Sequence, residues 1–158
     1  MNLFLYIIIF AIGITFGSFY TLAVYRIPKG QDIVHTHSYC PNCKHKLGFW
    51  DLIPVFSYIF LGGKCRYCKQ KIRPRYLILE VLSGTTFVIV ALLMKFDIYY
   101  LNLIQVINYI FFALFFTFIV LLFGIWQEYK KFNKPVLIYG AIVVILFMIY
   151  LWIIAIKF

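Results

Sequence analysis

Charged residues are scarce in this chain: they make up 13% of its 158 residues, and only five residues are acidic. A soluble domain usually has about a quarter of its residues charged and about half apolar. Here 65% of the residues are hydrophobic and 22% are aromatic. Too few polar side chains are present to cover a water-facing surface. The composition therefore excludes an ordinary soluble domain and indicates an integral membrane protein.

The amino-terminal segment lacks any charge before Arg26, and residues 3–24 form one apolar run. A helix needs about 20 such residues to cross a bilayer. A cleaved signal peptide would have a basic start, a shorter apolar core and a small-residue cleavage site, and this segment has none of them. We expect a permanent membrane helix here. Further apolar runs follow at residues 77–94, 98–126 and 136–156.

These runs predict an all-α integral membrane protein with about four transmembrane helices. The polar loop between helices 1 and 2 divides the chain into three parts. We expect the first helix at residues 1–25, the loop at 26–76 and three further helices within 77–158. We expect no internal repeat and no low-complexity tract.

Basic residues are distributed unevenly about these spans. Ten of the fifteen lie between Arg26 and Arg75, and the connection before the last span adds Lys130, Lys131 and Lys134. Lysine and arginine next to membrane spans stay on the cytoplasmic side. The loop should therefore be cytoplasmic and the N-terminus outside. The net charge of +10 is then a matter of topology and lipid contact, and nucleic-acid binding is not expected.

All four cysteines lie in the loop, in two Cys-x2-Cys pairs separated by 21 residues. Two such knuckles supply the four thiolates of a closed, tetrahedral, structural zinc site. Two disulfides, four unconnected thiols or an iron–sulfur cluster are the alternatives, and a reducing cytosol disfavours the disulfides. We expect His35, His37 and His45 to be ordinary loop residues. The predicted zinc ligands are Cys40, Cys43, Cys65 and Cys68.

A set of short motifs spread over residues 16–84 resembles the amino-terminal half of bacterial type IV prepilin peptidases, peptidase family A24. The motifs are, in order, Gly17-Ser18-Phe19, Tyr25-Arg26-Ile27-Pro28, the first cysteine pair, Trp50-Asp51-Leu52-Ile53-Pro54-Val55-Phe56-Ser57-Tyr58, Gly62-Gly63-Lys64, and Ile72-Arg73-Pro74-Arg75-Tyr76 with Glu80 and Gly84.

This resemblance implies a protein of the bacterial cytoplasmic membrane that acts on prepilins or pseudopilins. Family members cut a basic leader peptide and then methylate the new N-terminus with S-adenosylmethionine. The cysteine loop belongs to the half associated with methylation. The resemblance implies a role in that step for Gly63 and Lys64, just before the third cysteine.

The second half of the chain lacks the Gly-x-Gly-Asp motif that carries one peptidase aspartate in the family. Glu128, seven residues before Pro135, lies close to where the other aspartate would fall. Aspartyl cleavage needs two carboxylates that share a proton. Pairing of Glu128 with Glu80 is the remaining alternative. Residues 77–158 are therefore interpreted as truncated or degenerate relative to the peptidase half.

Methyl transfer is accordingly favoured over leader cleavage. The rival hypotheses are a non-catalytic prepilin-binding or accessory protein beside an oligomeric or paralogous partner, and an inactive remnant. No glycine-rich strand–helix fingerprint of soluble methyltransferases is present, so the sequence does not place an S-adenosylmethionine site.

Polar residues inside the apolar runs are costly and should have partners. We expect Glu80 to form an ion pair with Arg73 or Arg75, with contact to a substrate amine as the alternative. The triplet Asn102, Gln105 and Asn108 is spaced to share one helix face, which favours hydrogen bonds to neighbouring helices.

Reporter fusions test the predicted topology. A reporter after Lys46 should read cytoplasmic and one after Phe158 extracytoplasmic, because the opposite orientation would place thirteen of the fifteen basic residues outside. A loop reporter that reads outside the cell contradicts this orientation and revives the disulfide interpretation of the cysteines.

Overall fold

The computed structural model describes residues 2–95 and 102–157, and within these ranges the apolar runs are helical. The helices are α1 (Asn2–Arg26), α2 (Phe56–Phe60), α3 (Arg75–Leu93), α4 (Leu103–Tyr129) and α5 (Lys134–Lys157), and single 3-10 turns occur at Ile27–Lys29 and Phe49–Asp51. Extended pairing in the described ranges is limited to two isolated bridges in the loop. The predicted all-α class is confirmed.

Four of these helices, α1, α3, α4 and α5, are long and apolar enough to cross a membrane. The four predicted membrane helices are therefore confirmed. The predicted start of the third run, Ile98, lies outside the described residues, and α4 begins at Leu103. The short helix α2 lies inside the loop and was not predicted, because its five residues are too few to show a periodic pattern.

The helix ends follow from local chemistry. A 3-10 turn containing Pro28 follows α1 and closes on Gly30, which has a left-handed φ of 63°. Asn102 caps α4 by accepting the Ile104 N–H, and Lys130 ends that helix in a left-handed conformation. Capping satisfies backbone groups that a helix end leaves without partners.

Helices α1 and α3 pack so closely that a side chain would not fit between them at two points. A Cβ on Gly13 would lie 2.7 Å from the Cα of Gly84, and one on Gly17 would lie 2.7 Å from the Cα of Glu80. Small residues one turn apart allow membrane helices this approach. The glycines therefore bring α1 directly against the backbone that carries Glu80.

Helices α4 and α5 join this pair through a few polar contacts among aromatic side chains. The hydroxyls of Tyr20 and Thr117 lie 2.8 Å apart between α1 and α4. The Tyr139 hydroxyl of α5 donates to the Leu114 carbonyl of α4 at 2.9 Å. The loop between α1 and α3 consequently emerges from the most tightly packed helix pair of the described chain.

The polar triplet of the third run only partly follows its prediction. Asn108 accepts a hydrogen bond from Tyr150 of α5 at 3.0 Å, as expected for helix packing. Gln105 donates to the carbonyl of Met94, just beyond α3, at 3.4 Å. For Asn102 the prediction is wrong, because it lies before the helix and its side chain is used as the cap.

Candidate functional site

The two cysteine pairs adopt the same backbone conformation. The Cys40 N–H donates to the His45 carbonyl at 3.0 Å, and the Cys65 N–H donates to the Gln70 carbonyl at 2.9 Å. The lysine after each pair has a φ of 60°. Its N–H returns to the carbonyl of the first cysteine. Each pair is thus folded into a knuckle by its own backbone.

The knuckles form a short structural repeat. The bridge between Tyr39 and Lys46 in the first has its equivalent between Lys64 and Lys71 in the second. Both knuckles read Cys-x2-Cys-Lys-x-Lys followed by leucine or isoleucine. The expectation of no internal repeat was therefore wrong at this scale, and the signal was present in the sequence.

The four sulfur atoms converge on one point. The ligand atoms of Cys40, Cys43, Cys65 and Cys68 all lie within 4.8 Å of one another, and the sulfurs of Cys40 and Cys68 are 3.8 Å apart. A tetrahedral zinc ion with bonds of about 2.3 Å requires sulfur atoms about 3.8 Å apart. All four cysteines are free thiols. The cluster fits a metal such as zinc.

The thiols of this cluster differ in pKa. The Gln70 N–H and the Asn42 side-chain amide lower the pKa of Cys68 to about 6. Although the His45 N–H lowers the pKa of Cys43, desolvation and the neighbouring thiols raise it to about 11. One thiolate therefore forms readily near neutral pH. The remaining protons must be displaced by a cation that compensates the accumulating charge.

Asp51 holds the second knuckle against the segment between the two pairs. Its side chain is only 4% exposed and accepts from Arg66 Nε at 2.6 Å. It also accepts from the Tyr67 hydroxyl and the Gly48 N–H, both at 3.1 Å. Burial raises the pKa of Asp51, but these three donors hold it below its usual range. Sequence reasoning gave Asp51 no role, because its donors lie up to 16 residues away.

Arg26 organises the start of the loop. It is only 4% exposed, and its guanidinium donates to the carbonyls of Asp32, Thr36 and His37 at 2.8–3.0 Å. Arginine carries five N–H donors in a fixed planar fork. One side chain at the end of α1 thus fixes the backbone that leads into the first knuckle.

Gly63 and Lys64 differ in their surroundings. Gly63 is buried with a φ of 67°, and a Cβ there would lie 2.9 Å from the ring of Tyr58. Its carbonyl accepts the Ile72 N–H at 2.7 Å. This glycine is therefore required by space and by backbone conformation. Lys64, by contrast, is exposed next to the third cysteine.

Glu80 is buried between α1, α3 and the loop, with 8% of its surface exposed. Its Oε2 accepts the backbone N–H of Val55 at 2.7 Å, and the Ser18 hydroxyl is a second polar neighbour of the carboxylate. The expected ion pair with Arg73 or Arg75 is wrong. No lysine, arginine or histidine in residues 2–95 and 102–157 forms an ion pair with it.

Those two arginines pair with Glu128 instead. Arg75 donates to one carboxylate oxygen of Glu128 at the end of α4, and Arg73 Nη1 lies 3.5 Å from the other oxygen. This clamp joins the end of the loop to the connection before α5. Both carboxylate oxygens of Glu128 therefore already have a cationic partner.

Residues 11–94 match the family model described as the Bacterial Peptidase A24 N-terminal domain. Curated relatives bearing the name prepilin leader peptidase/N-methyltransferase include proteins from Vibrio cholerae and Klebsiella pneumoniae. The first is 34% identical over 122 residues, which covers 72% of this chain and 45% of the relative. The second is 35% identical over 92 residues, 54% of this chain and 40% of the relative.

A relative of the same name from Bacillus subtilis is 38% identical over 80 residues and is covered to 32%. The chain thus spans less than half the length of these curated relatives. No solved structure matches it.

Zinc analysis of the purified protein in detergent tests the cysteine cluster. We expect one zinc ion per chain, released by Cys40→Ser, because the loss of one thiolate opens the tetrahedral site. Structural zinc contributes on the order of 10 kcal/mol to small domains, so the loop should unfold with chelator. His37→Ala is the matched control and should retain zinc. Zinc loss in both variants would contradict the four-cysteine ligand set.

The pH dependence of zinc affinity follows from the thiols. Affinity should fall as pH decreases, because binding displaces the thiol protons. Below about pH 6, where Cys68 becomes protonated, zinc binding should displace one more proton. The logarithm of the affinity should therefore fall more steeply with decreasing pH in that range. Competition titrations with a chromogenic chelator across this range measure the slope. An affinity independent of pH would contradict thiolate ligation.

Proposed function

This chain belongs to the bacterial peptidase A24 family through its amino-terminal domain, and on that premise we propose that it methylates the N-terminus of processed prepilins or pseudopilins at the inner membrane. The observation that carries the proposal is Glu80. It is a buried carboxylate that accepts the Val55 N–H and lies beside the neutral Ser18 hydroxyl, and the described residues supply it with no cation. A newly exposed α-amino group would supply the missing positive partner.

The Glu80 carboxylate has acceptor capacity left for the proposed contact. An ionised carboxylate has about four lone-pair sites, and the protein donors occupy only part of them. An N-terminal amine is a small group with several donors, so it suits a narrow buried position. The Val55 and Ser18 bonds would hold the Glu80 carboxylate in a fixed orientation while the amine binds.

Methyl transfer forms one N–C bond while one S–C bond breaks, and the amine nitrogen loses a proton. S-adenosylmethionine, when bound, supplies the electrophilic methyl group. Glu80 would bind the ammonium form, accept one of its protons on a carboxylate oxygen, and so orient the neutral amine that attacks the methyl group. Lys64, exposed beside Cys65, would attract the carboxylate of the methionine portion. This step needs orientation of a nucleophile more than a paired acid and base.

The proposed metal has a structural role. Four cysteine ligands complete the tetrahedron, so no position remains open for water or substrate. Within the proposed division of the chain, zinc folds residues 26–76 on the cytoplasmic side, residues 1–25 form the first span, and residues 77–158 contribute three more. Metal binding would then support activity by holding the loop, and not by direct chemistry.

We do not assign leader cleavage to these residues. The only carboxylate near the family position is Glu128, and its oxygens are engaged by Arg73 and Arg75. A non-catalytic prepilin-binding protein would use the same Glu80 contact without transferring a methyl group. The two proposals therefore differ in whether a methylated pilin N-terminus is formed.

A methylation assay tests the proposal. The chain, reconstituted in lipid with a pilin already freed of its leader and with methyl-labelled S-adenosylmethionine, should label the pilin N-terminus. Glu80→Gln should reduce labelling about tenfold or more, since it removes a charge-assisted contact of about 1.5–3 kcal/mol. Lys64→Ala should weaken transfer more than Lys46→Ala, its matched control in the first knuckle. Mass spectrometry of the N-terminal peptide gives the readout.

The same preparation should leave an intact prepilin uncut. Binding of the processed pilin without labelling would support the accessory-protein alternative. Leader cleavage that disappears in Glu128→Gln would contradict the interpretation of Glu128 as a clamp residue.

A further inference from the structure

A group of large apolar side chains is exposed in the otherwise polar loop. Phe49 is 75% exposed, Trp50 72% and Phe60 84%. Leu52, Phe56 and Ile59 are also exposed. We call residues Phe49–Phe60 the aromatic segment. Contiguous apolar surface of this kind is unfavourable in water and marks a site of contact with a protein or a membrane.

The aromatic segment is attached to the membrane helices below their ends. Its Val55 N–H donates to Glu80 at 2.7 Å. Glu80 is five residues after the start of α3 at Arg75, which corresponds to about 7.5 Å along the helix axis. Ser18, which lies beside Glu80, is eight residues before the end of α1 at Arg26, or about 12 Å. The Val55 contact therefore lies further along both helices, toward the middle of the membrane, than Arg26 and Arg75.

The backbone at the point of attachment is strained. Val55 has a φ of 65° and a ψ of −54°, a region that a β-branched residue rarely occupies. Such a conformation is unfavourable for a β-branched residue and persists only where surrounding contacts fix it. Here it turns the chain between the Phe49–Asp51 turn and α2, and points the Val55 N–H at Glu80. Val55 is thus the residue at which the loop contacts Glu80 of α3 and turns back.

The surroundings of the segment match a lipid interface. A groove of about 490 Å³ along it is lined mainly by apolar residues, among them Trp50, Ile53, Phe56 and Phe60. Asp51 ties this segment to the second knuckle through Arg66 and Tyr67. That knuckle carries exposed Lys64, Lys69 and Lys71, which suit anionic headgroups. Aromatic side chains with neighbouring basic residues are typical of the membrane boundary.

We propose that the aromatic segment inserts into the leaflet on the loop side of the membrane and is covered by phospholipid at the boundary between headgroups and acyl chains. The backbone at Val55 is tolerated at this depth because its N–H is bonded to protein. The placement is independent of methyl transfer.

Depth-dependent fluorescence quenching tests this placement. The reporter is the full-length protein with Trp126→Phe and Trp152→Phe, which leaves Trp50 as the single tryptophan. It is reconstituted in vesicles of phosphatidylcholine and phosphatidylglycerol, with bromine placed near the headgroup or near the chain end. Trp50 emission should be blue-shifted and quenched roughly twofold more by the shallow bromine, as expected for residues 5–10 Å into the boundary. Aqueous iodide should quench it little.

The matched control is Val34→Trp in a protein with all three native tryptophans changed to phenylalanine. Val34 is 75% exposed in the polar part of the same loop, so this variant should show water-like emission and iodide quenching. Both proteins are checked for bound zinc. As a second reporter, Phe60→Trp in the background without native tryptophans should show the same blue shift and shallow quenching as Trp50.

Two results overturn the proposal. One is water-like emission from Trp50 with quenching by iodide and not by brominated lipid. The other is an emission maximum that shifts with the protein-to-lipid ratio, because that dependence would mean that a second copy of the chain covers the segment.

Discussion

The burial of the Glu80 carboxylate is the constraint on which the arrangement of α1, α3 and the loop depends. An ionised group in an apolar environment is stable only with hydrogen-bond partners. The partners come from Ser18 of α1 and Val55 of the loop. Gly17 lacks the side chain that would otherwise collide with the Cα of Glu80. The helix contact, the strained turn at Val55 and the path of the loop therefore satisfy one carboxylate together.

A series of loop contacts connects the cysteine cluster to Glu80, although the two sites have separate chemical roles. Asp51 binds Arg66 and Tyr67 of the second knuckle, and Asp51 lies four residues before Val55, which bonds Glu80. A loop of this length has little core of its own, so its geometry depends on the cysteine cluster and on the Asp51 contacts. Loss of zinc is therefore expected to weaken the Val55–Glu80 bond without any change in α1 or α3.

The sequence predicted the features that appear as contiguous or regularly spaced patterns of residues. These are the four membrane helices, the two cysteine knuckles and the family motifs. It did not predict which opposite charges meet. Arg75 pairs with Glu128, 53 residues away, whereas Glu80, only five residues from Arg75, bonds a backbone N–H. Charge patterns reveal side-chain charges but not backbone donors, and a positive φ at a valine has no signature in composition. The missed contacts either use a backbone donor or join side chains far apart in the sequence.

The two carboxylates closest to the membrane helices have opposite environments, and this difference decides what each can do. Glu128 is held by two arginines at the helix ends, so its charge is already neutralised and it serves to join α4 to the loop. Among the described residues Glu80 has no cationic partner, so its carboxylate is open to a positively charged group. A peptidase dyad requires two carboxylates that compete for one proton. One neutralised and one available carboxylate instead suit the recognition of a single positive group, which supports an amine as the proposed ligand of Glu80.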